Sequence, residues 1–187
     1  MNGYHRWLCR SAQWRAALET TLLPWALEGV DLGQNVLEIG PGPGLTTDWL
    51  RQRMPQLTAL EMDPRLAATL KQRLRGTNVH VREGDATAMP FERHSFSTVI
   101  SLTMLHHVPS AALQDRLLAE ACRVLRPGGK FIGIDSLPNF RFRLIHLGDT
   151  MVTVDPDTFG ARLRAAGFAR ATIVKLKNRF RFHAQAP

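Results

Sequence analysis

The residues of this chain best suited to chemistry fall in four short runs. They are Glu38-Ile39-Gly40-Pro41-Gly42-Pro43-Gly44, Glu61-Met62-Asp63, Gly84-Asp85-Ala86 and Ser101-Leu102-Thr103-Met104-Leu105-His106-His107. In the first run, glycines at alternate positions permit positive φ and let a ligand approach the main chain to van der Waals contact. The same run excludes two common ligands. A dinucleotide fingerprint needs a third glycine where Leu45 stands. A phosphate-cradling loop needs backbone N–H groups, which Pro41 and Pro43 lack. No Gly-Lys-Ser/Thr follows, so an NTPase loop is excluded too. A loop made for close approach but short of anion donors suits an adenosine cofactor without phosphates.

Glu38, Gly40, Gly42 and Gly44 match, position for position, the E/D-x-G-x-G-x-G motif of the class I S-adenosylmethionine-dependent methyltransferases, and the chain resembles that family from about residue 34 onward. The implied cofactor is S-adenosyl-L-methionine, leaving as S-adenosyl-L-homocysteine. Glu61 falls at the end of the second strand, where an acid can accept hydrogen bonds from both ribose hydroxyls; the family's ribose-binding acid occupies this position. Asp63, followed by Pro64, reads instead as a helix cap. The resemblance implies Met62 and Ser101 at the cofactor, Asp85 on the adenine amino group and the Ala86 N–H on a ring nitrogen. Pro127-Gly128-Gly129, read as a turn, is a further family hallmark.

Methyl transfer itself asks little of side chains. The sulfonium is already activated, so holding the acceptor in line with the methyl carbon supplies much of the rate, and a dry pocket supplies more. A general base is needed only where the acceptor arrives protonated, as a hydroxyl or ammonium would. By position the candidates are His106, His107, Asp135, Tyr4 and His146. Adjacent residues point in different directions, so at most one of the two neighbouring histidines is expected to face the methyl group. By family pattern it is the first, His106. The run after strand four has neither the Asn/Asp-Pro-Pro-Tyr motif of nucleic-acid amino methylases nor the Pro-Cys of cytosine carbon methylases. It resembles quinone, sterol and phospholipid methyltransferases, which implies a small-molecule or lipid acceptor. The alternatives are an RNA or protein methylase and a cofactor-binding scaffold without turnover.

These residues need strand ends to stand on. Val36 to Ile39 is too short and too β-branched for a helix and reads as a buried strand. Leu57–Met62, Asn78–Glu83, Ser95–Ser101 and Lys130–Asp135 read as further strands, with helix starts at Asp63-Pro64, Ser110 and Asp155-Pro156. Strands alternating with helices imply a parallel sheet covered on both faces. Two last runs, roughly 170–177 and 179–185, are too close for anything but a hairpin. The expected fold class is a doubly wound, Rossmann-like α/β sheet, mostly parallel with a C-terminal antiparallel hairpin strand; the resemblance implies seven strands.

Trp7, Trp14, Leu18, Leu22 and Trp25 recur at helical spacing. They predict an N-terminal helical lid over residues 1–33 on a core of 34–187, within one domain. Residues 137–151 carry Phe140, Phe142, Leu144, Ile145, Leu147 and Met151 beside Arg141 and Arg143. That segment is expected to overhang an amphiphilic acceptor with an anionic part.

With 187 residues, 44% of them hydrophobic, the chain can bury one real core. Cys9 and Cys122 suggest neither a disulfide framework nor a metal site, and no metal is expected. No apolar run approaches the roughly 18 residues that span a bilayer. The start, to Trp14, has no apolar stretch of a secretory signal, so a cytoplasmic location is expected, with peripheral membrane contact admitted. The net charge of +8 is scattered largely as single arginines, which disfavours a nucleic-acid partner.

Overall fold

The computed structural model describes residues 2–187 without the side chains of residues 4–6, so the candidate base Tyr4 lies outside the described residues. The chain begins with helices α1 (Gly3–Leu8) and α2 (Ala12–Ala17), a π-helical turn at Leu18–Leu22 and α3 (Leu23–Ala26). Then follow β1 (Asn35–Ile39), α4 (Leu45–Leu50), β2 (Gln56–Glu61), α5 (Pro64–Arg73), β3 (Val79–Glu83) and β4 (Phe96–Leu102). The second half supplies α6 (Ala111–Val124), β5 (Leu125–Ser136), α7 (Phe140–Ile145), α8 (Pro156–Ala165), β6 (Arg170–Leu176) and β7 (Arg179–Gln185). The strands form one seven-stranded sheet in the order β3-β2-β1-β4-β5-β7-β6. Only the pairings of β7 with β5 and β6 are antiparallel. This is the doubly wound sheet with a terminal hairpin that the strand pattern predicts.

Strand β1 lies inside the sheet between β2 and β4, and successive side chains alternate between faces. Val36 packs with Leu50, Leu57 and Leu70 on the α4–α5 face. Leu37 and Ile39 join Leu117, Phe131 and Phe159 on the α6–α8 face. The helix starts are held as their sequences predict. The Asp63 carboxylate accepts from the N–H groups of Arg65 and Leu66, at 2.8 and 3.2 Å, and Ser110 Oγ accepts from Leu113 N–H at 3.2 Å.

Two elements differ from expectation. Arg126–Gly129 is not a turn ahead of β5 but lies within it. Leu125 pairs with Phe96 and Lys130 with Thr98, so the residues between bulge outward, and Gly128 takes φ +72° to allow it. The N-terminal segment does not present one face either. Leu18, Leu22, Leu23 and Ala26 pack against Leu45 and Ile134, but Trp7 is 61% exposed. The break at Ser11 and the π-helical turn shift the helical phase. Among the described residues, no helix is long and apolar enough to cross a membrane.

Candidate active site

Strand order reverses between β1 and β4, and ligands of open α/β sheets bind at the strand carboxyl ends beside such a point. There a cavity of about 1120 Å³ opens, more than the roughly 300–1,000 Å³ of a one-ligand site. It has room for a cofactor and an acceptor together. A separate cleft of about 1000 Å³ against α5 and β3 contains none of the motif residues.

The glycine loop after β1 forms one wall. Gly40, Gly42 and Gly44 have φ of +66°, +55° and +85°, so each uses the left-handed conformation that glycine adopts freely. A Cβ on Gly40 would lie 2.4 Å from Met104 Cγ, but one on Gly42 would point into open space, a cradle left for a ligand. All three N–H groups are used internally. Gly40 donates to Leu60 O and Gly44 to Pro41 O, both at 2.9 Å, and Gly42 donates to Glu61 Oε2 at 2.9 Å. With Pro41 and Pro43 between them, the loop presents no spare donor to a phosphate. Gly44 is not among the residues that line the cavity; its missing side chain makes room for Leu70 and Arg73, which stand where its Cβ would be.

Glu61 ends β2 on the cavity wall. Its other oxygen, Oε1, accepts from Asp63 N–H at 2.9 Å, so each carboxylate oxygen keeps a lone pair for a ribose hydroxyl. Glu38 sits on the same β1 face as Val36 and is buried beneath α4, where Thr47 Oγ1 donates to it at 2.6 Å. Burial, reinforced by the charges of Asp48 and Glu61 against the Thr47 hydrogen bond, pushes its carboxyl up to about 7. Met62, Asp85 and Ala86 line the same end, and Asp85 Oδ1 accepts from Thr87 N–H at 2.7 Å. Ser101 is fully buried and is not among the residues that line the cavity. Strand β4 runs one residue further than expected, to Leu102, and the pleat turns Ser101 to the same face as Val99. Leu102, Thr103 and Met104 reach the cavity instead.

At the other end, a single 3₁₀ turn, Leu105–His107, presents both histidines to the cavity. His106 is 2% exposed. Its Nδ1 lies 2.5 Å from Asp135 Oδ1, and its backbone N–H donates to Asp135 Oδ2 at 3.1 Å. Asp135 is fully buried behind the ring and also accepts from Ser136 N–H at 2.6 Å. A carboxylate receiving three donors in this way fixes the imidazole's orientation. His106 Nε2 faces His146 Nε2 at 3.2 Å. His146 arrives at the end of α7, whose Asn139, Arg141, Phe142 and Ile145 also line the cavity. Leu8, Cys9, Trp14 and Leu18 close it from the N-terminal side, and Asn178 and Arg179 reach in from the β6–β7 turn. Burial lowers the pKa of Arg179. No motif marks these last two residues, because hairpin register alone brings them there.

The acids around the glycine loop, the used-up donors and the open cradle at Gly42 fit an adenosyl cofactor carrying a positive sulfonium. Fold and site together define a class I S-adenosylmethionine-dependent methyltransferase. The family model described as "Methyltransferase domain" matches residues 37–133, and the chain belongs to that family. It is 31% identical over 193 aligned residues to the ubiquinone biosynthesis O-methyltransferase of Azotobacter vinelandii, covering 92% of this chain and 82% of that protein. A phthiotriol/phenolphthiotriol dimycocerosates methyltransferase of Mycobacterium tuberculosis is 35% identical over 113 residues, 59% of this chain and 41% of that one. In fold the chain is similar to Haemonchus contortus phosphoethanolamine N-methyltransferase 2, solved with S-adenosyl-L-methionine. The TM-score is 0.76 at 14% identity, over 100% of this chain and 60% of that one.

Proposed function

We propose that this enzyme methylates a hydroxyl oxygen of an amphiphilic small molecule or lipid. The observation that carries the reading is the buried Asp135–His106 pair on the cavity wall. An amine acceptor can arrive neutral, but a hydroxyl must shed a proton as it is methylated, and a carboxylate-oriented imidazole suits that task. The 31% identity to a ubiquinone biosynthesis O-methyltransferase supports it.

When bound, S-adenosylmethionine supplies an activated methyl group. Glu61, Asp85 and the Ala86 N–H would hold its ribose and adenine, with Met62, Glu38, Gly40 and Gly42 around them. Phe142, Ile145, Leu113 and Leu117 offer apolar contact to the acceptor. Arg141 and Arg179 offer charge to an anionic part of it. The acceptor oxygen would take the methyl group, S-adenosylhomocysteine would leave, and His106 would receive the proton which that oxygen sheds. The helices α1 and α2 act with α7 as a lid that keeps water out. Asn2 joins the two parts, its side-chain amide donating to Ile145 O at 2.8 Å and Leu147 O at 3.0 Å.

The test is a panel of phenolic, aliphatic-hydroxyl and amine amphiphiles incubated with enzyme and S-adenosylmethionine. S-adenosylhomocysteine release and the acceptor's mass are read together. The expected result is methylation of hydroxyl compounds; turnover confined to amines, or to RNA or protein added in parallel, would refute it.

A further inference from the structure

We infer that His106, His107 and His146 form a binding site for a divalent transition-metal ion of the zinc class. One ring nitrogen from each lies within 4.8 Å of the others, at the acceptor end of the cavity.

Proton accounting on the rings comes first. His106 Nδ1 faces a carboxylate oxygen of Asp135 at 2.5 Å. His146 Nδ1 faces Phe142 O at 2.7 Å, and His107 Nδ1 faces Thr150 O at 3.3 Å. A carbonyl oxygen has no proton to give, and the Asp135 carboxylate already accepts from two backbone N–H groups. Each ring therefore carries its proton on Nδ1, and Nε2 is the lone-pair nitrogen. Yet the Nε2 atoms of His106 and His146 face one another at 3.2 Å. Two lone pairs at that distance repel unless a positive centre lies between them.

A metal ion satisfies this geometry. Zinc binds imidazole nitrogen at about 2.0–2.1 Å in tetrahedral arrangement, which sets two ligand nitrogens about 3.3 Å apart. The observed 3.2 Å matches, and His107, in a half-buried turn, would have to close by about 1.5 Å from the outer limit to reach the same spacing. Ligating histidines typically donate their other N–H to a carboxylate or backbone carbonyl, and all three rings do so here. Three imidazoles without thiolate suit zinc, cobalt, nickel or copper rather than magnesium or calcium. Three protein ligands leave a position open to the cavity, as in catalytic zinc sites.

The site stands on its own geometry, but its role rests on the proposed function. With the ion bound, His106 Nε2 would be a ligand and not the proton acceptor that it is in the metal-free enzyme; the ion would instead make the acceptor hydroxyl more acidic, and the proton would pass to water.

The experiment uses the full chain, freed of metal by chelator and dialysis. It is titrated with zinc against a weak chromophoric chelator, and with cobalt while visible absorption is recorded. The expected result is one equivalent bound, with cobalt bands of tetrahedral intensity. His146→Ala and His107→Ala should each abolish competition with the chelator, and Asp135→Asn should weaken affinity roughly 10–100-fold. Circular dichroism establishes that the variants are folded, and because His107 and His146 sit on different elements, one of them suffices. A wild type that takes up no zinc, or variants that bind as it does, overturns the site and leaves a proton shared between the two Nε2 atoms. S-adenosylhomocysteine binding, measured on the same samples, tests the methyltransferase reading separately: lost cofactor binding would count against that reading whatever zinc does.

Discussion

Replacing Glu38 by Gln should stabilise the enzyme, by an amount that grows with pH. The carboxyl is 3% exposed and held by the Thr47 hydroxyl, and desolvation raises it from 4.5 to about 7. A carboxyl with a folded-state pKa above its unfolded one binds its proton more tightly in the folded state. Its contribution to stability is therefore greatest below about 4.5, falls as pH rises, and becomes a full penalty above about 7. At about 1.36 kcal/mol per pH unit, a displacement from 4.5 to about 7 corresponds to about 3 kcal/mol. Gln keeps the acceptor oxygen for Thr47 but never ionises. Urea unfolding without cofactor, at pH 5 and pH 8, is the assay. The variant's advantage should widen by about 2–3 kcal/mol between the two, seen as a shifted midpoint at unchanged slope. A constant gap between variant and wild type would mean that Glu38 ionises normally in the fold, and the argument from burial would fail. S-adenosylmethionine should narrow the gap at pH 8 more than S-adenosylhomocysteine does, because a cation in the cavity favours the carboxylate.

Glu61→Ala and Asp85→Ala should each weaken S-adenosylhomocysteine binding by about 1–3 kcal/mol in calorimetry, with thermal melts reporting any cost of unpairing the Gly42, Asp63 or Thr87 N–H groups. His106→Gln should bind cofactor normally yet lose roughly 10²–10⁴ in turnover; near-normal turnover would leave the ring as a wall of the cavity. Deleting residues 1–10 removes Leu8 and Cys9 from the cavity but spares the buried Leu18, Leu22 and Leu23. Acceptor use should fall further than cofactor affinity, and equal loss would make the segment structural. Burial and the Asp149 charge push the Cys9 thiol to about 11, so its alkylation at pH 8 should run about 100-fold slower than that of an ordinary thiol, read by mass spectrometry.

What could be read in advance was whatever neighbours in sequence decide. The strand before the glycines, the Asp63 and Ser110 caps and the acid ending β2 each rest on contacts a few residues long. So does the exclusion of phosphate, because Pro41 and Pro43 remove donors wherever the loop goes. Phase and long-range arrival were harder to read. Ser101 falls inside β4 rather than at its end, and the pleat sets its side chain on the Val99 face. Gly44 matches the motif, yet its lack of a side chain serves Leu70 and Arg73, partners 26 and 29 residues away. His146 meets His106 across 40 residues, and Arg179 reaches the cavity only through hairpin register. His146 is a candidate by position alone, and Arg179 carries no local signal.

The two ends of the cavity differ in sign, and this bears on how two substrates are arranged in it. Glu38, Glu61, Asp63 and Asp85 lie at the glycine-loop end with Arg65 among them, and Arg141 and Arg179 at the lid and hairpin end. The loop itself offers an anion nothing, since its three glycine N–H groups are bound to Leu60 O, Glu61 and Pro41 O. Charges on the wall of a protein cavity interact more strongly than the same charges in bulk water. On balance of charge a cation-bearing adenosyl cofactor is favoured at the first end, and the proposed acceptor's anionic part would be favoured at the second. Under that proposal the reacting oxygen would lie between them, where His106 stands against Asp135. The field would then orient both ligands before close contact, and His106 would have only one proton to handle.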